Sequence, residues 1–236
     1  MQARQKIPWK IGNLFGVLGV LILGVLLWGA PLVAATDITN DFTDPSFLRA
    51  VRSEIQKSNG PIYDTDVAGI INLAVGYRNI TSLNGIEHFT ALEYLDCGVN
   101  QLTALDTSKN TALSELDCAG NQLTALDVSK NPMLTGLYCY SNQLRALDVS
   151  KNFALRDFDC EGNQLRALDV SKNPALEYLN CGGNQLTALD VSKNTALRDL
   201  DCEGNQLTAL EVSKNPALRE FFCNDNQLSA LDVSKT

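Results

Sequence analysis

From Thr90 to Thr236 apolar residues recur at fixed offsets within a 21-residue block written seven times without a break. Clear copies read TALSELDCAGNQLTALDVSKN from Thr111 and TALRDLDCEGNQLTALEVSKN from Thr195. In the first copy the apolar places are Leu92, Leu95, Cys97, Leu102 and Leu105. Later copies add Val128, Val149, Val170, Val191, Val212 and Val233 where the first has Thr107. Positions 95 and 97 are two apart, the period of a strand, so both should face the core while 94, 96 and 98 face the other side. Each copy is therefore expected to supply one short strand, and successive strands to lie about 4.8 Å apart in a parallel sheet. One coil buries too few side chains to offset the ordering of its own backbone, so the coils must stack in a row. The predicted fold is an α/β-type solenoid.

Two polar series accompany the apolar one. Asn100, Asn121, Asn142, Asn163, Asn184, Asn205 and Asn226 fall three residues after each cysteine, where the chain leaves its strand. A buried amide needs partners, so these side chains are read as scaffold that bonds backbone groups of their own coil and the next. Asn110, Asn131, Asn152, Asn173, Asn194 and Asn215 are given the same part at the opposite turn. The resulting skeleton, LxxLxCxxNxLxxLxVxxN, resembles the leucine-rich repeat, most closely a bacterial subclass with LxxLxCxxNQLTxLDVSxN units, and more distantly the internalins. The resemblance covers residues 90–236 and implies a curved solenoid whose concave sheet binds a protein or other extracellular ligand. It also implies secretion or display at the cell surface.

Upstream, INLAVGYRNITSLNGIEHFTAL (71–92) fits a 22-residue leucine-rich unit, and an irregular first coil is placed at residues 67–89, with Leu73, Val75, Ile80, Leu83, Ile86 and Phe89 in core places. Arg78 stands where the turn asparagine is expected, so this coil should be irregular. Residues 36–66 contain DFTDPSFLRAVRSEIQKSNG, which reads as a helix with Asp44 as N-cap, Pro45 at its first position and Asn59-Gly60 at its end. Phe47, Leu48, Val51 and Ile55 lie at helical spacing, suited to covering the open edge of the first coil. No comparable C-terminal cap is evident, so Phe221, Leu228 and Leu231 should line an open edge.

Residues 1–35 differ from the rest. Arg4, Lys6 and Lys10 precede an uncharged run from Ile11 to Thr36, and Val33, Ala34 and Ala35 offer small residues for cleavage. This is the pattern of a signal peptide, or of a signal anchor if it is not removed, and either places the repeats outside the cytoplasm. The formal charge is -8; without the three basic residues of this segment, and its lack of acids, the remaining chain carries -11. Such a surface argues against nucleic acid, which requires clustered Lys and Arg, and against an anionic lipid surface. Membrane contact is expected only through an uncleaved N-terminus.

All seven cysteines, Cys97 through Cys223, sit 21 apart at one core offset. Stacked parallel strands aim their thiols the same way, and with an odd count and no CxxC pair they read as free, buried apolar filler rather than disulfides or a metal site. His88 is the only histidine and reads as a turn residue. Catalysis therefore has no converging set of unlike groups, and no cofactor or metal is expected.

Only the outward strand positions vary in an organised way. Acids stand at Asp96, Glu115, Asp117, Asp157, Asp159, Glu161, Asp199, Asp201, Glu203 and Glu220, and aromatics at Tyr94, Tyr138, Tyr140, Tyr178 and Phe222. Like charges on neighbouring strands repel, so these acids are expected to give the fold nothing. Rigid tyrosines among acids suit a cationic protein partner, with a glycan as the lesser candidate. Two other readings compete: a structural solenoid that self-associates at its C-terminal edge, and calcium held between the acidic ladders. The Asp106 and Lys109 series are read as solvating the outer side by local charge cancellation.

Overall fold

The computed structural model describes residues 34–229; most of the apolar N-terminal segment, together with Leu231 and Val233, lies outside them. Eight strands of three residues each follow in chain order: β1 Asn72–Ala74, β2 Tyr94–Asp96, β3 Glu115–Asp117, β4 Gly136–Tyr138, β5 Asp157–Asp159, β6 Tyr178–Asn180, β7 Asp199–Asp201 and β8 Glu220–Phe222. They form one sheet in the order β1 to β8, and every pairing is parallel. The register sets Leu73, Leu95, Leu116, Leu137, Phe158, Leu179, Leu200 and Phe221 side by side. That row and the cysteine row two residues on face the core, as the strand period requires. Behind the sheet, Leu102, Leu113 and their equivalents close the core, with Val128, Val149, Val170, Val191 and Val212 on the far side.

Asparagines lock each coil to its neighbour. Asn121 Oδ1 accepts from Leu102 N at 2.9 Å, while its Nδ2 donates to Cys97 O at 3.1 Å and to Cys118 O at 3.0 Å. The pattern repeats at Asn142, Asn163, Asn184 and Asn205. The second series works on the opposite turn through its amide alone: Asn152 Nδ2 donates to Val128 O and Asn131 O. Its oxygen is left over, since Asn110, Asn152, Asn173, Asn194 and Asn215 all have a buried Oδ1 without a partner. Asn131 is different because Thr107 donates its hydroxyl to Asn131 Oδ1 at 2.9 Å. The one repeat with Thr instead of Val thus pairs an oxygen that is unpaired elsewhere along the ladder.

At the N-terminal side, helix α1 (Pro45–Glu54) starts where expected, with the Asp44 carboxylate accepting from Ser46 N and Phe47 N. The other Asp44 oxygen accepts from Thr81 N and Thr81 Oγ1, tying the helix to the first coil. Phe47 packs edge-on to Phe42 and beside Phe89, so the helix joins the solenoid core through aromatic contacts. The helix ends earlier than Asn59-Gly60 would place it: Ile55 is its C-cap, and Gln56 turns left-handed at φ 52°. Arg52 explains the early stop, because it donates to Lys57 O and Gly60 O and so holds the chain in a reversal. A single turn, α2 (Asp64–Val67), follows, with Asp66 bound to Lys57 Nζ at 2.8 Å.

In the first coil Leu73, Val75, Ile80, Leu83, Ile86 and Phe89 are all buried. Asn100 makes the usual ladder bond to this coil, its Oδ1 accepting from Ile80 N, and accepts in addition from Arg78 N. In the last described coil Leu218, Phe221, Cys223 and Leu228 are only partly buried, whereas their equivalents one coil earlier are fully buried. All seven cysteines are free thiols, and all but Cys223 are buried. Burial pushes the Cys202 thiol up to about 12, and the more enclosed thiols are also raised by burial.

Candidate functional site on the outer face of the sheet

The strand register arranges the outward side chains in two rows: Asn72, Tyr94, Glu115, Gly136, Asp157, Tyr178, Asp199 and Glu220, and beside it Ala74, Asp96, Asp117, Tyr138, Asp159, Asn180, Asp201 and Phe222. A third row begins just past the strands with Gly76, Gly98, Ala119, Tyr140, Glu161, Gly182, Glu203 and Asn224. Every outward residue singled out from the sequence stands in one of these rows.

The second row has a structural part that the sequence reading denied it. Asp96 Oδ1 accepts from Gly98 N, Asp117 from Ala119 N, Asp159 from Glu161 N, Asn180 from Gly182 N and Asp201 from Glu203 N, all at 2.9 to 3.0 Å. Each carboxylate therefore ends its strand by binding the amide two residues on, which offsets part of the repulsion along the row. The outer Asp106, Asp127, Asp148, Asp169 and Asp190 bind the amide of the serine two residues on in the same way, so they hold turns as well as solvating them. These hydrogen bonds hold the Asp106 and Asp127 carboxyls below the usual carboxylate range. On the sheet the balance reverses: burial lifts the Asp117 carboxyl and pushes Asp159 up to about 6.

Tyr138 lies close along the sheet because its neighbour is Gly136: a Cβ there would meet Tyr138 Cε2 at 3.3 Å and Glu115 Cγ at 3.2 Å. Tyr140 stands clear of the sheet and is 37% exposed. Two further residues on this rim were not picked out from the sequence. The position before each turn asparagine is left-handed in coil after coil, and Gly120, Gly162, Gly183 and Gly204 occupy it without strain. Tyr77 (φ 59°, 79% exposed) and Val99 (φ 51°, 44% exposed) hold the same conformation with a side chain. For a β-branched residue this is an outlier costing about 1 to 2 kcal/mol. The sequence signal was there, as a bulky residue where four of the six later copies have glycine and the other two Ser141 and Asp225, but its cost is visible only once φ is known.

Among the described residues no group of three or more His, Cys, Asp or Glu is placed to hold a metal ion, and no helix is long and apolar enough to cross a membrane. His88 Nε2 lies 2.8 Å from Asp41 Oδ2, away from the sheet rows.

One short strand per 21-residue coil, a parallel sheet and an asparagine ladder at each strand exit define a leucine-rich repeat solenoid. No protein-family model and no curated sequence matches the chain. Solved structures do. The functional domain of InlJ from Listeria monocytogenes, which includes a cysteine ladder, is 33% identical with a TM-score of 0.70; the match covers 84% of this chain and 49% of that one, so this chain spans about half its length. Internalin C2 from Listeria monocytogenes is 26% identical with a TM-score of 0.76 over 85% of this chain and 92% of that one. A leucine-rich repeat protein of Leptospira interrogans shares the fold, at 24% identity and a TM-score of 0.62 over 66% of this chain and 43% of that one. The chain is an internalin-like leucine-rich repeat protein, and its architecture is a protein-interaction fold.

Proposed function

We propose that this chain is a non-enzymatic extracellular module that binds a protein partner through the outer face of its sheet. The observation that carries the reading is the set of aromatic and apolar side chains held exposed on a rigid acidic surface: Tyr77 and Val99 near one end, Tyr140 in the middle of the array and Phe222 near the other end. Two of them sit in backbone conformations that cost stability, and strain of this kind persists where a surface is used. Aromatic anchors on a fixed backbone lose little entropy on binding, and the surrounding carboxylates favour a cationic partner and speed its approach. The export pattern of residues 1–35 and the cell-surface character of similar arrays support an extracellular setting.

Partner capture from cell-surface extracts by residues 36–236 tests the reading when three forms are compared. Wild type and a turn-side control, Lys109→Ala with Lys151→Ala, should capture the same protein, while Tyr138→Ala with Tyr140→Ala should lose it. Equal capture by all three would reject Tyr138 and Tyr140 as the anchors.

A further inference from the structure

Strands β6, β7 and β8 bring six outward side chains into a two-by-three lattice: Tyr178, Asp199 and Glu220 in one row, Asn180, Asp201 and Phe222 in the other. The two aromatics stand at opposite corners, separated by the width of β7, and the carboxylates fill the positions between them. Tyr178, Asp199, Leu200, Asp201, Glu220 and Phe222 enclose a depression of about 310 Å³. That is the lower end of the size range of small-ligand clefts, which begins near ~300 Å³. The same diagonal of aromatics recurs across β3, with Tyr94 and Tyr138, and across β5, with Tyr138 and Tyr178.

The geometry points to a subsite for one cationic side chain, the guanidinium of an arginine or the ammonium of a lysine in the protein partner. The chemistry of the lining selects this class. Ring faces attract a cation through their quadrupole at distances up to about 6 Å, and carboxylates attract it by charge. Asp199, Asp201 and Glu220 have no salt bridge to a cation of this chain among the described residues, so their charge is available to an incoming one. Arg198, next to Asp199 in sequence, is engaged elsewhere, 3.1 Å from Glu177. Asn180 turns its amide to Glu161 Oε2 at 3.0 Å, which takes that acid out of competition and leaves the lattice with an acidic floor. Phe222, 46% exposed, is too open to serve the core and is placed to close over a bound side chain.

This inference rests on the sheet-face reading and is tested without the natural partner. Nα-acetyl-arginine amide is titrated into the isotope-labelled chain, with the uncharged Nα-acetyl-citrulline amide as control, and amide shifts are followed by NMR. Shifts should concentrate at Asp199, Asp201, Glu220 and Phe222, and the citrulline compound should give none. Tyr178→Ala and Phe222→Ala should each weaken binding by about three- to tenfold, a range typical of losing one ring from a cation site. Asp201→Asn, which retains the strand-end hydrogen bond, should weaken it while leaving the fold unchanged, and Tyr94→Ala should have no effect. Shifts spread evenly over Asp96, Asp117 and Asp157, or unchanged binding in both ring variants, would overturn the subsite. If the arginine compound does not bind here while Tyr138→Ala with Tyr140→Ala still loses the partner, the subsite is refuted and the sheet-face reading stands.

Discussion

Replacing Asn163 by alanine isolates what one rung of the asparagine ladder contributes. Asn163 Oδ1 accepts from Leu144 N at 3.0 Å, and Nδ2 donates to Cys139 O and Cys160 O, each at 3.0 Å. The carbonyls keep other donors after the change, because Asn142 also reaches Cys139 O and Asn184 reaches Cys160 O. The Leu144 amide keeps none. A buried donor left unpaired costs about 1 to 3 kcal/mol, and two surrendered hydrogen bonds add roughly 0.5 to 1.5 kcal/mol each before relaxation. The expected loss is therefore on the order of 2 to 6 kcal/mol, read from urea unfolding followed by circular dichroism. Because coils are coupled mainly to their neighbours, the effect should also be local, with faster hydrogen exchange at Leu144 N than at the equivalent Leu186 N. A change within about 0.5 kcal/mol, the ordinary range for a surface substitution such as Gln164→Ala, would refute the account of the ladder.

Val170→Thr should supply a donor to the unpaired Asn194 Oδ1, as Thr107 does for Asn131, and so cost less than about 1 kcal/mol where an unpartnered buried hydroxyl costs about 1 to 3; a thermal melt showing the larger loss would contradict this. Val99→Gly should gain about 0.5 to 1 kcal/mol, since relief of the left-handed strain exceeds the added chain entropy, while weakening partner binding. For Asp159, with its folded value raised to about 6, the folded chain holds a proton that the unfolded chain has released, so this group's stabilising contribution is complete below about pH 4 and lost as pH rises through about 6. Asp159→Asn keeps the acceptor for Glu161 N and should stabilise the chain by about 1 to 2 kcal/mol at pH 7 after allowance for solvent screening, with the gain vanishing near pH 4; equal gains at both values would exclude the titration. Under native conditions a thiol reagent should modify Cys223 first and the six buried thiols only on unfolding, which mass spectrometry of labelled peptides will show.

The repeat period was enough to determine the solenoid, the parallel sheet, the core rows and the turn asparagines, because a constant interval leaves one face of each coil apolar and one way to bury it. Asp44 and Pro45 marked the start of α1 for an equally local reason, but its end depended on Arg52 reaching over to Gly60 O, a contact between residues that spacing does not pair. Residue type on the sheet was legible as well, but role was not: Asp96 and Asp117 read as pure surface charge until their bonds to backbone amides two residues away were seen. Thr107 looked like a lapse from the valine pattern, and only stacking reveals Asn131 of the next coil as its partner. Tyr77 and Val99 became informative once the left-handed ladder gave their conformation a cost, and Tyr178 became the partner of Phe222 only when register set them across β7. Local periodicity determines which side chains face in or out. Which side chains meet between coils depends on the stacking register, which brings together residues some twenty or forty positions apart.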